Sequence, residues 1–401
     1  MYKEIELRIT PEEAHDKEIV DDLLAKRLHV DSERIKHIEI LRKSIDARQR
    51  QVVIQLKVGV HIDRIEQKER EFVPLYKDVS QAETVVVVGA GPAGLFAALR
   101  LIERGKRPIV LERGKRVEDR KLDLNSLYKT GIADEDSNYG FGEGGAGTFS
   151  DGKLFTRSKK RGNVNRILEI LVYHGASESI LIDAHPHIGT DKLPRVIVNI
   201  RKTIEQYGGE VRFNSRVTDI IIEENRVRGV VVGNQEIRAE HVILATGHSA
   251  RDVYRMLHAR DVLMQPKEFA VGLRLEHPQA LIDRIQYHNP RGRGDFLPAA
   301  EYSFVTNVDG RGVYSFCMCP GGVVVPACTG PGQQVVNGMS ASGRNTAWAN
   351  SAMVTSIGEA ELVGMNYNGL FAGMGRRRTK FIRSGTTIDS FSAGAFEREF
   401  A

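Results

Sequence analysis

Three groups of residues in this 401-residue chain have types and spacings that could do chemistry. The first is Gly89-Ala90-Gly91-Pro92-Ala93-Gly94, which follows four consecutive valines and precedes Glu112 by about twenty positions. In that setting Gly89 makes a tight turn, Gly91 lets the backbone approach a pyrophosphate, and Gly94 lets a helix pack closely on a strand. Pro92 and Ala93 open the helix, whose first amides carry about half a unit of positive charge and face the phosphates. Glu112 then accepts hydrogen bonds from two ribose hydroxyls, while Arg113 and Arg120 either neutralise phosphate or contact adenine, or are plain surface arginines. This chemistry is dinucleotide binding.

The second group is the glycine-rich run Phe141 to Lys153, too irregular for a strand or helix. Its glycines, Gly145 among them, can bring backbone amides against a planar cofactor because no side chain intervenes. Asp151 and Lys153 follow directly and could face a substrate. The third group is Cys317 and Cys319. Two apart on a regular strand, their Cα atoms lie about 6.6 to 6.8 Å apart, near the upper limit for a disulfide. Redox or metal chemistry and plain packing before Pro320 both stay open, and with Cys328 the only other cysteine a closed zinc site lacks partners. His185, His187 and His248 are candidate proton donors, set against structural or solvent-facing roles. No catalytic residue is assigned and no metal site is expected.

The elements that must position these residues can be read from periodicity. Val85 to Val88 and Pro108 to Leu111 are buried strands flanking a helix with Leu95, Ala98, Leu99 and Ile102 on one face. Pro194 starts a helix that Gly208-Gly209 stops. Val217 to Ile222, Val227 to Val232 and Glu236 to Ala239 form a three-stranded meander, and Val242 to Ala245 is a strand ending in Thr246-Gly247, where Gly247 permits close approach. A meander in place of a crossover helix belongs to flavoproteins more than to simple NAD dehydrogenases. Val217 is either a plain core valine or, by its resemblance to the equivalent position in such flavoproteins, the residue that lends its backbone to adenine. Upstream, Ile5, Leu7 and Ile9 alternate, Thr10 to Glu13 reads as a capping box, and Val52 to Val60 alternates again, which makes a small α+β domain. A charged link, Asp63 to Glu83, follows. From Phe269 onward alternating runs predict an antiparallel sheet.

Gly89 to Gly94 with Glu112-Arg113, Ala245-Thr246-Gly247, and above all Ser315 to Gly322 with Asn337 to Ser340 and Ala349 to Ser351 resemble a family of bacterial FAD-dependent oxidoreductases, the NAD(FAD)-utilising dehydrogenases, over about residues 1 to 370. The resemblance implies a glutathione-reductase-like two-dinucleotide-binding FAD fold, with an antiparallel substrate domain and the extra α+β domain. It assigns residues 1–80 to the N-terminal domain, 81–265 to the FAD domain with its meander, 266–345 to the substrate domain, and 346–401 to a partial return to the FAD domain and an irregular basic tail. It implies FAD as cofactor, hydride transfer through flavin to a small-molecule substrate, and NAD(P)H as at most a transient donor, because no second glycine fingerprint is found. The late glycine-acid segment that closes such FAD sites is not found, so a truncated, inactive flavoprotein is one alternative. A nucleotide-binding RNA-associated module is another.

Composition constrains the partners. With 41% apolar and 27% charged residues the chain is of ordinary globular type. The net charge of +5, from 57 basic and 52 acidic residues, is mild and argues against a nucleic-acid partner, and Arg376-Arg377-Arg378 reads as a solvated tail. No apolar run spans a membrane, and three cysteines fit a reducing compartment, so the expectation is a cytoplasmic protein.

Overall fold

The computed structural model describes residues 1–65, 72–156, 162–264, 269–330 and 335–357, and the backbone of 386–390. The architecture is mixed α/β, and the strands fall into separate sheets. The arginine run 376–378 lies outside the described residues.

At the N-terminus β1 (Tyr2–Ile9), β2 (Ile35–Asp46) and β3 (Val53–Ile62) form an antiparallel sheet in the order β1-β3-β2. One face carries Leu7, Ile9, Ile54, Leu56, Val58 and Val60 and is covered by Leu24 and Leu28 of α1 (Lys17–Leu28), as alternation with one buried face requires. The capping box exists, with the Thr10 amide donating to Glu13 at 2.7 Å and the Glu13 amide to Thr10 Oγ1 at 3.2 Å. It caps only a single 3-10 turn at Glu13–His15, however, and α1 has its own cap in Asp16, whose carboxylate accepts from the amides of Glu18 and Ile19. The link that follows is not wholly detached: Val79 is buried, and its amide donates to the Tyr207 carbonyl.

The centre is a parallel sheet in the order β10-β4-β5-β6, made of β4 (Thr84–Val88), β5 (Arg107–Leu111), β6 (Glu210–Arg212) and β10 (His241–Leu244). Parallel strands buried on both faces read as unbroken apolar runs, and the four valines of β4 are all buried. One face is covered by α2 (Pro92–Glu103) and α6 (Leu193–Gln206), which meet over Leu95, Leu99, Val196, Ile200 and Ile204. The other is covered by the meander β7 (Val217–Glu223), β8 (Arg226–Val232) and β9 (Gln235–Arg238) through Ile220, Val230 and Ile237. Helix α3 (Val117–Thr130) follows β5, α4 (Val164–Tyr173) and α5 (Ser179–Ile182) precede α6, and α7 (Arg251–Ala259) follows β10.

The remaining strands make an antiparallel sheet of order β12-β13-β16-β11-β17, with β11 (Phe269–Pro278), β12 (Val305–Val308), β13 (Arg311–Cys319), β16 (Trp348–Ile357) and β17 (Thr386–Ser390). Helix α8 (Gln279–Gln286) follows β11 directly. A separate ribbon pairs β14 (Gly322–Pro326) with β15 (Val336–Ser340). Here the sequence reading needs correction. Trp348–Ile357 does not join the parallel sheet: β16 sits between β13 and β11 and pairs with both, and its backbone groups on each edge are satisfied by those two strands.

Candidate functional site

A cleft of about 560 Å³ opens at the carboxyl ends of β4, β5 and β10, where Val88, Leu111 and Leu244 reach its floor. This is where ligands bind in open parallel sheets. One wall is the turn from β4 into α2. Gly89 has φ +104, and a Cβ there would meet the Ala245 carbonyl at 2.5 Å, so glycine alone fits the turn. Gly94 lies behind the wall rather than on it: its Cβ would stand 1.9 Å from the Gly89 carbonyl oxygen, so its absence is what lets α2 lie against β4. No side chain caps the start of α2, and Ala93 in its first turn lines the cleft. These amides therefore make a ready anion site.

Glu112 lines the cleft but is 4% exposed and already engaged. Its Oε1 accepts from the amides of Gly114 and Gly142, each at 2.9 Å, and its Oε2 from the amide of Ala90 at 2.8 Å. A carboxylate has about four lone-pair sites. Three are taken by backbone, which leaves one on Oε2 for a ligand hydroxyl instead of the expected two oxygens. The carboxylate thus ties together the α2 turn, the end of β5 and the glycine-rich loop before any ligand arrives.

That loop forms the opposite wall through Gly140, Phe141 and Gly145 to Gly147. Arg120 holds it from beneath, and this corrects its expected role. The side chain is completely buried and does not line the cleft; its guanidinium donates to the carbonyls of Glu143, Gly145 and Asn138 and to Thr148 Oγ1, and stacks on Phe149. Burial lowers its pKa to about 10, but it keeps its charge at neutral pH. Glu143, which the sequence reading missed, is equally buried. Its Oε1 accepts from Arg201 at 2.7 Å and its Oε2 from the Val117 amide at 2.9 Å, and burial raises its pKa despite these partners.

Arg113 does line the cleft, yet its charge is matched: it pairs with Asp252 at 3.0 Å and Asp136 at 2.7 Å and lies 4.2 Å over the Phe141 ring. Arg216 bridges the same two carboxylates. Burial opposes ionisation of Asp252, and the two arginines outweigh it, so its pKa is lowered. This closed quartet makes Arg113 a rim-builder more than a free phosphate ligand. Gly91, Pro92, Gly145, Val217, Thr246 and Gly247 line the cleft as well, so of the twelve residues read from sequence only Gly94 and Arg120 stand outside it. Asp252, Val253, Tyr254 and Leu257 of α7 complete it. Their signal was available: Val253, Met256 and Leu257 recur at helical spacing.

Of the histidines, His248 lines the cleft, with its pKa lowered by burial and by Arg251. His185 pairs instead with Glu301, whose hydrogen bond raises its pKa, and His187 bonds the Ser342 carbonyl at 3.1 Å. Among the described residues one trio, Glu83, Glu240 and His241, comes within metal-ligand spacing, but it is exposed and Glu83 already pairs with Lys106. No helix among the described residues is long and apolar enough to cross a membrane.

The cleft fits a dinucleotide. Its volume is in the range of small-ligand sites, and glycines stand on both facing walls, Gly89 and Gly91 on one and Gly140, Gly145 and Gly147 on the other, where an extended pyrophosphate can approach the backbone. Comparison with known proteins agrees. A family described as pyridine nucleotide-disulphide oxidoreductase matches residues 83–257, one described as FAD-dependent protein, C-terminal domain-like matches 268–379, and a domain of unknown function matches 1–61. An uncharacterised protein of Clostridium beijerinckii is 40% identical over 370 residues, covering 87% of this chain and 68% of that protein. A thiamine thiazole synthase of Aeropyrum pernix is 29% identical over 181 residues, 41% of this chain and 55% of the enzyme. Protein FixC of Escherichia coli is 26% identical over 210 residues, 52% of this chain and 46% of FixC. The chain spans about half the length of these last two relatives.

Proposed function

Because this chain belongs to a bacterial family of FAD-dependent oxidoreductases, we propose that the cleft holds the adenosine diphosphate half of FAD and that the protein transfers hydride between the flavin and a small molecule. The observation that carries this reading is the convergence at one strand-end cleft of the glycine turn, Glu112 and the loop around Gly145. When bound, the flavin supplies the two-electron chemistry. The chain's own residues supply position and electrostatics. The α2 amides near Ala93 face the pyrophosphate, and the free lone pair of Glu112 Oε2 takes one ribose hydroxyl. Val217, Thr246 and Gly247 supply main chain and close approach on the far side, and the Arg113, Arg216, Asp136 and Asp252 quartet keeps that rim rigid and neutral.

In the same reading the arrangement is glutathione-reductase-like. Residues 81–265 bind the cofactor, and the antiparallel sheet from Phe269, now including Trp348–Ile357, covers a substrate. NAD(P)H is a transient donor at the flavin face. The test is a visible spectrum of the purified protein followed by anaerobic titration with NADH and NADPH. A bound flavin band that bleaches supports the reading; no flavin band after reconstitution with FAD refutes it.

A further inference from the structure

Away from the cleft, the two cysteines of β13 have an environment that neither the cofactor nor the fold explains. Between the pairs Phe316–Ala352 and Cys319–Asn350, β13 spends one residue more than β16, so the strand is bulged at this point. Cys317 sits in the bulge with φ +47, a left-handed conformation that non-glycine residues adopt at a cost. Cys317 and Cys319 are therefore not two residues apart on a regular strand, the case in which a bond between them is difficult. The Cys319 thiol donates to the Cys317 carbonyl at 3.4 Å, which holds the two residues together at the bulge.

Cations surround the pair. Lys153, arriving from the segment that continues the glycine-rich loop, donates to the Met318 carbonyl and lies 3.2 Å from Asp151. Arg274, fully buried on β11, donates to the Cys317 carbonyl at 3.2 Å and to Asn350 Oδ1 at 2.8 Å. Arg344 pairs with Asp151 at 2.8 Å, so the carboxylate that would otherwise oppose a thiolate is shared between two cations. Cys319 is completely buried, while Cys317 is half-buried. The neighbouring Cys319, with Lys153 and Arg274, lowers the Cys317 pKa against the effect of burial, while the neighbouring Cys317 and burial raise that of Cys319.

We propose that Cys317 and Cys319 form a redox-active dithiol that reduces small-molecule disulfides, Cys317 attacking and Cys319 resolving. The Cys317 thiolate attacks one sulfur of R–S–S–R, the S–S bond breaks, and RS⁻ leaves and takes a proton from solvent. Cys319 then loses its proton and attacks the Cys317 sulfur of the mixed disulfide, expelling the second thiolate. The dithiol is oxidised by two electrons and the external disulfide becomes two thiols. This site does not depend on the cofactor reading, since neither sulfur touches the cleft.

The test uses the full chain, reduced and desalted. Peptide mapping after limited iodoacetamide treatment across pH should show Cys317 alkylated about tenfold or more faster than Cys328 at neutral pH, with a midpoint below the ordinary thiol value of about 8.5. Oxidised glutathione should then yield a Cys317–Cys319 disulfide in the wild type and a stable glutathione adduct on Cys317 in Cys319→Ser. Lys153→Met should slow alkylation of Cys317 at neutral pH. Alkylation of Cys317 no faster than Cys328, or a wild-type protein that stops at the glutathione adduct, would overturn the proposal, and both measurements need only the wild type.

Discussion

Replacing Glu112 by glutamine separates the two jobs the structure gives this residue. The amide keeps the shape but only one acceptor oxygen. That oxygen is best used where Oε1 now stands, because it serves two amides there, Gly114 and Gly142 at 2.9 Å, whereas Oε2 serves only Ala90 at 2.8 Å. The new NH2 group then faces the Ala90 N–H, donor against donor. One hydrogen bond to a charged acceptor disappears, at about 1.5–3 kcal/mol, and a completely buried N–H is left without a partner, at about 1–3 kcal/mol. The sum, about 2.5–6 kcal/mol, is a large share of the roughly 5–15 kcal/mol that holds a domain folded. Urea unfolding of the FAD-free protein reads this directly. Glu112→Gln should lower the midpoint with an unchanged slope, and the FAD affinity, followed by flavin fluorescence, should fall further than the loss of folded protein explains. A variant as stable as wild type within about 0.5 kcal/mol would refute the three-bond account. A destabilised variant that binds FAD as tightly as wild type would refute the ribose contact alone.

Other outcomes follow from the same geometry. Gly94→Ala puts a methyl 1.9 Å from the Gly89 carbonyl oxygen, which no flexible side chain can relieve, so thermal unfolding should show a loss of about 3 kcal/mol or more. Arg120→Met removes the cation that holds three loop carbonyls; stability should drop by about 3 kcal/mol, and hydrogen exchange should quicken selectively over residues 138–148. Unchanged exchange in that loop would show that Arg120 does not organise it. His174 is buried, its Nδ1 bonded to the Ile170 carbonyl at 2.7 Å, and burial lowers its pKa. The unfolded chain therefore binds a proton more readily, and stability is full above about 6.5, His's ordinary value, and lost as pH falls from there toward the lowered value. Unfolding midpoints between neutral pH and pH 5 should fall in wild type and be flatter in His174→Gln.

What could be read without the fold was what neighbours in sequence decide. The strand, turn and helix around Gly89 and the meander from Val217 are set by local sterics and by alternation, and they appear where expected. Periodicity failed where the partner was remote. Nothing within Trp348–Ile357 says that its neighbours are β11 and β13. Cys317 and Cys319 looked two apart on a regular strand, because a bulge is an event between two strands and leaves no mark in one of them. Arg120 read as a phosphate ligand from its nearness to Glu112, but charge does not reveal whether a guanidinium faces solvent, a ligand or a ring of carbonyls.

By itself the amino-acid order determined a backbone that turns at Gly89, packs at Gly94 and delivers Glu112 to the mouth of a parallel sheet. Tertiary structure decided how many lone pairs that carboxylate has left, and it decided that Lys153 reaches the Met318 carbonyl, between Cys317 and Cys319. The reason is range. Steric limits on a turn act over a few residues, whereas hydrogen-bond satisfaction and charge balance in a buried cluster depend on which distant segments arrive there together.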